Sequence, residues 1–377
     1  MSYENHSLHL YKSGKDDLLV FSETSGRLYG FDKVGASIFF FLESEKASKE
    51  ELLHAVGNNE TARSIIYTID NLLKGREEPE SVQTDLQYRF PLTPSKITHS
   101  SPLYYQLDNF TFVIDTDEEL IRERIIPAFS HLRHKQSLPV TFDVHIEFVQ
   151  EGKRWSICFN GKALKQGLVI DELLPMLVNF VRVAYYRSFD YLISLHAAAL
   201  YYNKIPLILP AASGSGKSTL STYLMEKSFE FLSDDAIAID KNARLRPIPL
   251  SIAIKEGSWS VLEKNGVFMT ELPVHKRFDG QNVRFLIPNN IATEVLSVEN
   301  AYLVFPRYVA GASTIIKSIS TLEALSIIIH SRYEVQDSYD ETIIRQWIGL
   351  VEKMNKYSIT YSDMEDARNH LEKLMSA

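Results

Sequence analysis

Three groups of residues in this sequence could handle phosphate. The first is Pro210-Ala-Ala-Ser-Gly-Ser-Gly-Lys-Ser-Thr-Leu220. An apolar run, Ile205 to Leu209, precedes it, and Leu220, Tyr223 and Leu224 follow it at helical spacing. Strand, glycine-rich turn and helix in that order are the setting a phosphate-binding loop requires. Ser213, Gly214, Ser215 and Gly216 form the cradle, and the two glycines let backbone N–H groups close around phosphate oxygens. The helix that follows points its positive end at the same anion. Lys217 is placed to reach the β- and γ-phosphates, and Ser218 to hold Mg²⁺. Ala211 stands where such loops more commonly begin with glycine. A chance Gly/Ser turn has no reason to carry a strand before it and a helix after it.

The second group is Asp234-Asp235, at the end of the short apolar run Phe229-Glu-Phe-Leu-Ser233. Alone, an Asp-Asp pair is a solvated turn. Behind a phosphate loop it supplies what phosphoryl transfer needs: one carboxylate to hold or order Mg²⁺, another to take a proton from an attacking hydroxyl. The third is His196, within Ser194-Leu-His-Ala-Ala-Ala-Leu-Tyr-Tyr202, which reads as a strand turning at Asn203-Lys204 into the strand that feeds the loop. A histidine inside a strand is ordinarily a satisfied core group. This one lies a single hairpin from the loop, so its strand should run beside the one that carries the phosphates.

The elements that must position these residues follow from periodicity. Asp17–Glu23 and Gly26–Phe31 read as two strands joined at Thr24-Ser-Gly26. Asp32 then caps a helix over 34–42, Ser48 and Glu51 form a capping box, and Ile65, Ile66, Ile69, Leu72 and Leu73 mark a third helix. The result is a β-plus-three-helix unit of winged-helix size over residues 1–80, and the charged, Pro-bearing stretch after it reads as a linker over 81–100. Residues 101–190 read as an α/β lobe. It holds a hairpin at Asp108-Asn109, a helix from Thr116 to about Leu132, strands over 140–148 and 155–159, a turn at Asn160-Gly161 and an apolar helix from Ile170 to Tyr186. No catalytic cluster is apparent there, and His145 falls on the polar face of its strand. Residues 191–335 form the core around the loop, with further strands over 248–255, 283–287 and 301–305. Residues 336–377 read as a helical tail with a buried stripe of Trp347, Leu350, Val351 and Met354. Arg307 and Arg332 are the arginines to test as phosphate clamps, while Lys255 reads as solvated.

At 377 residues, two or three domains are expected. The apolar and charged fractions, 45% and 23%, are those of a soluble globular chain, no apolar run is long enough for a bilayer, and no signal peptide is visible. One cysteine, Cys158, excludes an intramolecular disulfide framework. These features point to the cytoplasm and to no membrane association. A formal net charge of −8 argues against nucleic acid as the main partner.

Two resemblances attach to these motifs. Leu28-Tyr-Gly-Phe-Asp32, then Val34-Gly-Ala-Ser-Ile38 and an amphipathic helix, resemble the PqqD-like domains, which bind leader peptides in the biosynthesis of modified peptides. Leu195-His196-Ala197, the loop, Phe231-Leu-Ser-Asp-Asp235 and the Pro249-Leu-Ser-Ile strand stand in an order and spacing that resemble the HPr kinase/phosphorylase family over about 190 to 335. That resemblance implies an α/β fold: a P-loop kinase core, a mixed sheet flanked by helices, behind a small winged-helix-like α+β domain. It also implies an ATP- and Mg²⁺-dependent kinase acting on a Ser or Thr hydroxyl. His196, Asp234 and Lys217 would take part in transfer, Ser213 through Thr219 would bind nucleotide, and Ser218 with Asp235 would hold the metal. It further implies a homo-oligomer. The segment that marks HPr-acting members after the Asp pair is absent, so a precursor peptide docked through residues 1–80 is the expected substrate. A small-molecule kinase on the same core and a non-catalytic nucleotide-binding module are the alternatives.

Overall fold

The structure, a computed structural model, describes residues 8–13, 17–57, 59–77, 97, 102–134, 142–210, 214–331, 333–334 and 341–376. Ala211, Ala212, Ser213 and Arg332 lie outside the described residues, as does the expected linker apart from residue 97.

The chain opens with an antiparallel sheet of β1 (Leu8–Ser13), β2 (Asp17–Ser22) and β3 (Arg27–Phe31). Three helices follow: α1 (Lys33–Glu43), α2 (Lys49–Val56) and α3 (Glu60–Leu73). Asp32 accepts from the Gly35 N–H at the start of α1, and Ser48 and Glu51 close the capping box of α2, as the residue types demand. The run Leu18-Leu-Val-Phe21 does not alternate because both faces of β2 are covered. Leu18 and Val20 pack with Phe39, Leu42, Ile66 and Ile69 of the unit's own helices. Leu19 and Phe21 belong to the core of the rest of the protein.

The second layer is a sheet of β4 (Leu103–Leu107), β5 (Phe110–Asp115), β6 (Val144–Glu151), β7 (Arg154–Phe159) and β8 (Lys162–Leu168), in that spatial order. Two of its hairpins turn at Asp108 and at Asn160-Gly161, where φ is positive, as their sequences predict. The helix expected from Thr116 to Leu132 is instead α4 (Glu119–Arg124) followed by a 3₁₀ helix, Ile126–Leu132. Pro127 stands at the change of pitch, where it has no N–H for an α-helical bond. The apolar helix α5 (Ile170–Tyr186) covers one face of this sheet.

The remaining strands are β9 (Tyr191–Leu195), β10 (Ala197–Tyr202), β11 (Ile205–Pro210), β12 (Glu230–Ser233), β13 (Ile237–Asp240), β14 (Arg244–Arg246), β15 (Ile252–Lys255), β16 (His275–Lys276), β17 (Asn282–Leu286), β18 (Leu296–Ser297), β19 (Tyr302–Tyr308), β20 (Ile315–Ser318), β21 (Tyr333–Glu334) and β22 (Asn355–Tyr361). Between them come α6 (Lys217–Lys227), α7 (Glu256–Lys264), α8 (Thr321–Ser331), α9 (Glu341–Lys353) and, last, α10 (Met364–Met375). A six-stranded sheet runs β12-β10-β11-β19-β22-β20, a five-stranded one β18-β14-β13-β9-β21, and a small one β15-β17-β16. The fold is thus mixed α/β with several mixed sheets.

Two expectations change here. The segment 336–377 is not all helical: β22 lies parallel to β19 inside the six-stranded sheet. The period-two spacing of Tyr357, Ile359 and Tyr361 is the mark of that strand. The strand expected over 194–202 is two strands in different sheets, and the break falls at His196. No helix among the described residues is long and apolar enough to cross a membrane.

Candidate phosphate site

The site lies where two neighbouring segments pass from one sheet to the other at the same level. In the six-stranded sheet Ala199 pairs with Ser233; in the five-stranded sheet Leu195 pairs with Ile237. Between those pairs fall His196 on one segment and Asp234-Asp235 on the other. Asp235 takes a left-handed φ of 70°, a conformation a short polar side chain tolerates better than most. Beside them β10 pairs antiparallel with β11, Ala197 opposite Pro210, so the end of the loop-bearing strand adjoins His196. β19, the parallel neighbour of β11, and β22, parallel to β19 in turn, end on the same side.

Gly216 caps α6 with a φ of 90°, and a Cβ there would fall 2.9 Å from the Tyr361 hydroxyl. Both facts restrict the position to glycine. Lys217, the first residue of α6, is only 7% exposed. Its Nζ lies 3.3 Å from His196 Nε2 and 3.9 Å from Asp235 Oδ1. An ammonium only donates, so Nε2 is the acceptor and Nδ1 carries the imidazole proton, 3.4 Å from Asp235 Oδ1. Burial first, and then the Lys217 charge, push the His196 pKa down to about 4. At neutral pH His196 is therefore an uncharged link between Lys217 and Asp235, with its basic nitrogen already engaged. Arg182 of α5 closes the network: its Nη1 donates to Asp235 Oδ2 at 2.9 Å, and its Nη2 donates to Asn179 Oδ1.

The two aspartates are driven apart. Burial raises Asp234 above the ordinary carboxylate range, Asp235 adds to that, and Lys217 and the Ser218 hydroxyl oppose it. Ser221 Oγ also donates to Asp234 Oδ1, at 3.4 Å. Burial works against ionisation of Asp235 too, but Arg182 and Lys217 outweigh it and hold its carboxyl well below the usual range. The Asp235 side chain keeps 45% of its surface, so solvent tempers this network. Neighbouring acids pushed in opposite directions separate a proton acceptor from a fixed anion.

The residues suit a bound polyphosphate. Gly214 leaves open space where a Cβ would stand, and the Ser215 hydroxyl is buried with no partner among the described residues. The cations Lys217 and Arg182 lie close by. The Ser218 hydroxyl favours the ionised form of Asp234, and its oxygen lone pairs could serve a metal ion. Asp235, expected to hold the metal with Ser218, contacts His196, Arg182 and Lys217. Thr219 donates to Ser258 Oγ of α7 at 2.7 Å, and so faces that helix. Arg307 is exposed at the end of β19. A hollow beside the carboxylates is lined by Val178, Arg182, Asp234, Asp235, Ser251 and Ala253.

Arg182 is the site residue that sequence reasoning missed, in a lobe judged free of chemistry. Its signal was present: it is the one basic residue in the apolar 17-residue helix α5. His145 also differs from expectation. It is fully buried, with Nε2 3.0 Å from Asp115 Oδ2 and Nδ1 3.8 Å from Glu147 Oε2. Its two nitrogens face different acids, and Asp115, His145 and Glu147 can each offer one ligand atom within 4.8 Å of the others.

No family model matches the sequence, and no curated protein matches it. Among solved structures the chain is similar to the HPr(Ser) kinase/phosphatase from Coxiella burnetii, at 14% identity over 48% of this chain and 98% of that one, with a TM-score of 0.21. A likeness this slight carries no argument, and the site is read from its own geometry.

Proposed function

We propose that this chain is a phosphotransferase built on a phosphate-binding loop, and within that class an ATP- and Mg²⁺-dependent kinase acting on a Ser or Thr hydroxyl of a small protein or peptide. The observation that carries the reading is Asp234: a half-buried carboxylate that accepts from Ser221 of the loop helix, lines the hollow beside Arg182, and has its pKa raised by burial. A nucleotide switch has no use for such a base.

In this reading the loop amides and Lys217 would hold the β- and γ-phosphates, and Ser218 would hold a Mg²⁺ ion, whose chemistry is to neutralise charge on them. An acceptor hydroxyl in the hollow gives its proton to Asp234 as its oxygen bonds to the γ-phosphorus. The bond from that phosphorus to the β-bridging oxygen breaks, and its electron pair leaves with ADP. His196 and Asp235 are positioning residues: they fix Lys217 and Arg182 and give up no proton. Positioning and charge neutralisation supply most of the rate, because phosphoryl transfer asks for little covalent help.

Docking of a precursor peptide through residues 1–80 belongs to the same proposal, since a tethered acceptor needs little affinity of its own at the site. The test is transfer of label from γ-labelled ATP to candidate peptides and small hydroxyl compounds. Label on a peptide Ser or Thr, lost in Lys217→Ala, supports the reading. Label on small compounds alone moves the acceptor to the small-molecule class.

A further inference from the structure

The phosphate loop has two flanks, and they differ in chemistry. The flank of β10 and β12 carries His196, Asp234 and Asp235, the acceptor side of the site. The opposite flank is formed by the ends of β19 and β22, which run parallel to β11. Ligands of open α/β sheets bind outside the carboxyl ends of parallel strands. A nucleotide with its phosphates in the loop must send its base away from the charged acceptor side, and hence over β19 and β22.

Tyr308, the last residue of β19, stands on that flank. Its backbone N–H donates to the Ser215 carbonyl at 3.4 Å, and its Cβ comes within 3.5 Å of where a Cβ on Gly216 would be. The ring packs edge-on to Tyr361, with centroids 5.9 Å apart and planes at 76°. Tyr361 is itself buried, so the contact fixes the Tyr308 ring from beneath. Yet Tyr308 remains 51% exposed. A large aromatic held still at both backbone and ring, half open to solvent and touching the phosphate loop, is a preordered stacking surface. Ordering it on binding costs little. The aspartates and the loop bind charge; Tyr308 offers a planar apolar face, the chemistry of a nucleobase.

We propose that Tyr308 is the platform on which the base of the bound nucleotide stacks, an inference that rests on the loop's binding nucleotide as argued above. It gives the site a direction, with base over β19 and β22 and the γ-phosphoryl toward Asp234.

The experiment compares Kd by calorimetry for Mg²⁺–ATP and for inorganic tripolyphosphate, on the full chain and on Tyr308→Ala and Tyr308→Phe. Tripolyphosphate fills the loop without a base and also reports that a variant is folded. Tyr308→Ala is expected to weaken ATP about tenfold and to leave tripolyphosphate within about twofold, while Tyr308→Phe keeps both. Equal ATP affinity in the wild type and Tyr308→Ala overturns the platform, as does equal weakening of both ligands, which marks a distorted loop. A wild type that binds ATP no better than tripolyphosphate also overturns it and leaves the phosphate site standing. A wild type that binds neither removes the nucleotide reading itself.

Discussion

Asp234 and Asp235 are chain neighbours in opposite electrostatic states, and this predicts opposite effects of the same substitution. The raised pKa of Asp234 means that its ionised form weighs against the fold. Its favourable contribution is present below the ordinary carboxylate pKa and is lost as pH rises through the raised one. Asp234→Asn is therefore expected to raise Tm at neutral pH, with the gain vanishing in acid. The depressed pKa of Asp235 gives the reverse sign: its stabilisation is present above the unfolded pKa and lost as pH falls through the folded one. Asp235→Asn is expected to lower Tm at neutral pH, by a deficit that shrinks in acid and with added salt, since the group is partly exposed. Thermal melts of both variants from neutral pH into acid check this. Shifts of the same sign would contradict the assignment of the fixed anion. At this scale the sequence shows the residue types but not the contacts that set them apart. The Ser221–Asp234 contact and the reach of Arg182 to Asp235 across 53 residues of chain are tertiary facts.

The loop and its helix were legible because their signal is local: glycines at the turn, an apolar strand before it, an apolar helix face after it. The capping box of α2 and the hairpin turns were legible for the same reason. The break at His196 was not, because Ser194–Tyr202 is a continuous strand-like run whose two halves differ only in the partners they pair with. A sheet switch leaves no period to read. At this scale Gly216→Ala is expected to cost the loop its shape. The left-handed φ adds about 1–2 kcal/mol for a residue with a Cβ, and the new methyl meets the Tyr361 hydroxyl at 2.9 Å. Phosphate affinity should fall at least tenfold, measured with tripolyphosphate. Unchanged affinity would show that the loop does not need this geometry.

The sheet of the N-terminal unit shares a core with the rest of the chain. Tyr11, Leu19, Phe21 and Leu28 bury against Leu322, Leu325 and Ile328 of α8 and its surroundings. Gly30 sits so close that a Cβ would approach Leu322 Cδ1 to 2.6 Å. Removing residues 1–80 therefore strips an apolar face as well as a docking unit. At about 1.5–3 kcal/mol for each buried apolar side chain, the loss is large against ordinary domain stability. Such a truncation is expected to melt well below the full chain or to aggregate, as scanning calorimetry would show. An unchanged Tm would mean that the unit does not brace the core. Peptide docking is accordingly better tested by point variants than by truncation.

The central claim, that the loop and Asp234 form one phosphoryl-transfer site, is tested most directly by separating binding from turnover in Asp234→Asn. The measurement is the Kd for Mg²⁺–ATP alongside the rate of ADP formation, with water or an identified peptide as acceptor. The account predicts ATP affinity within about threefold of wild type and ADP formation reduced by about 10²-fold or more. ADP formation at the wild-type rate in Asp234→Asn would contradict it.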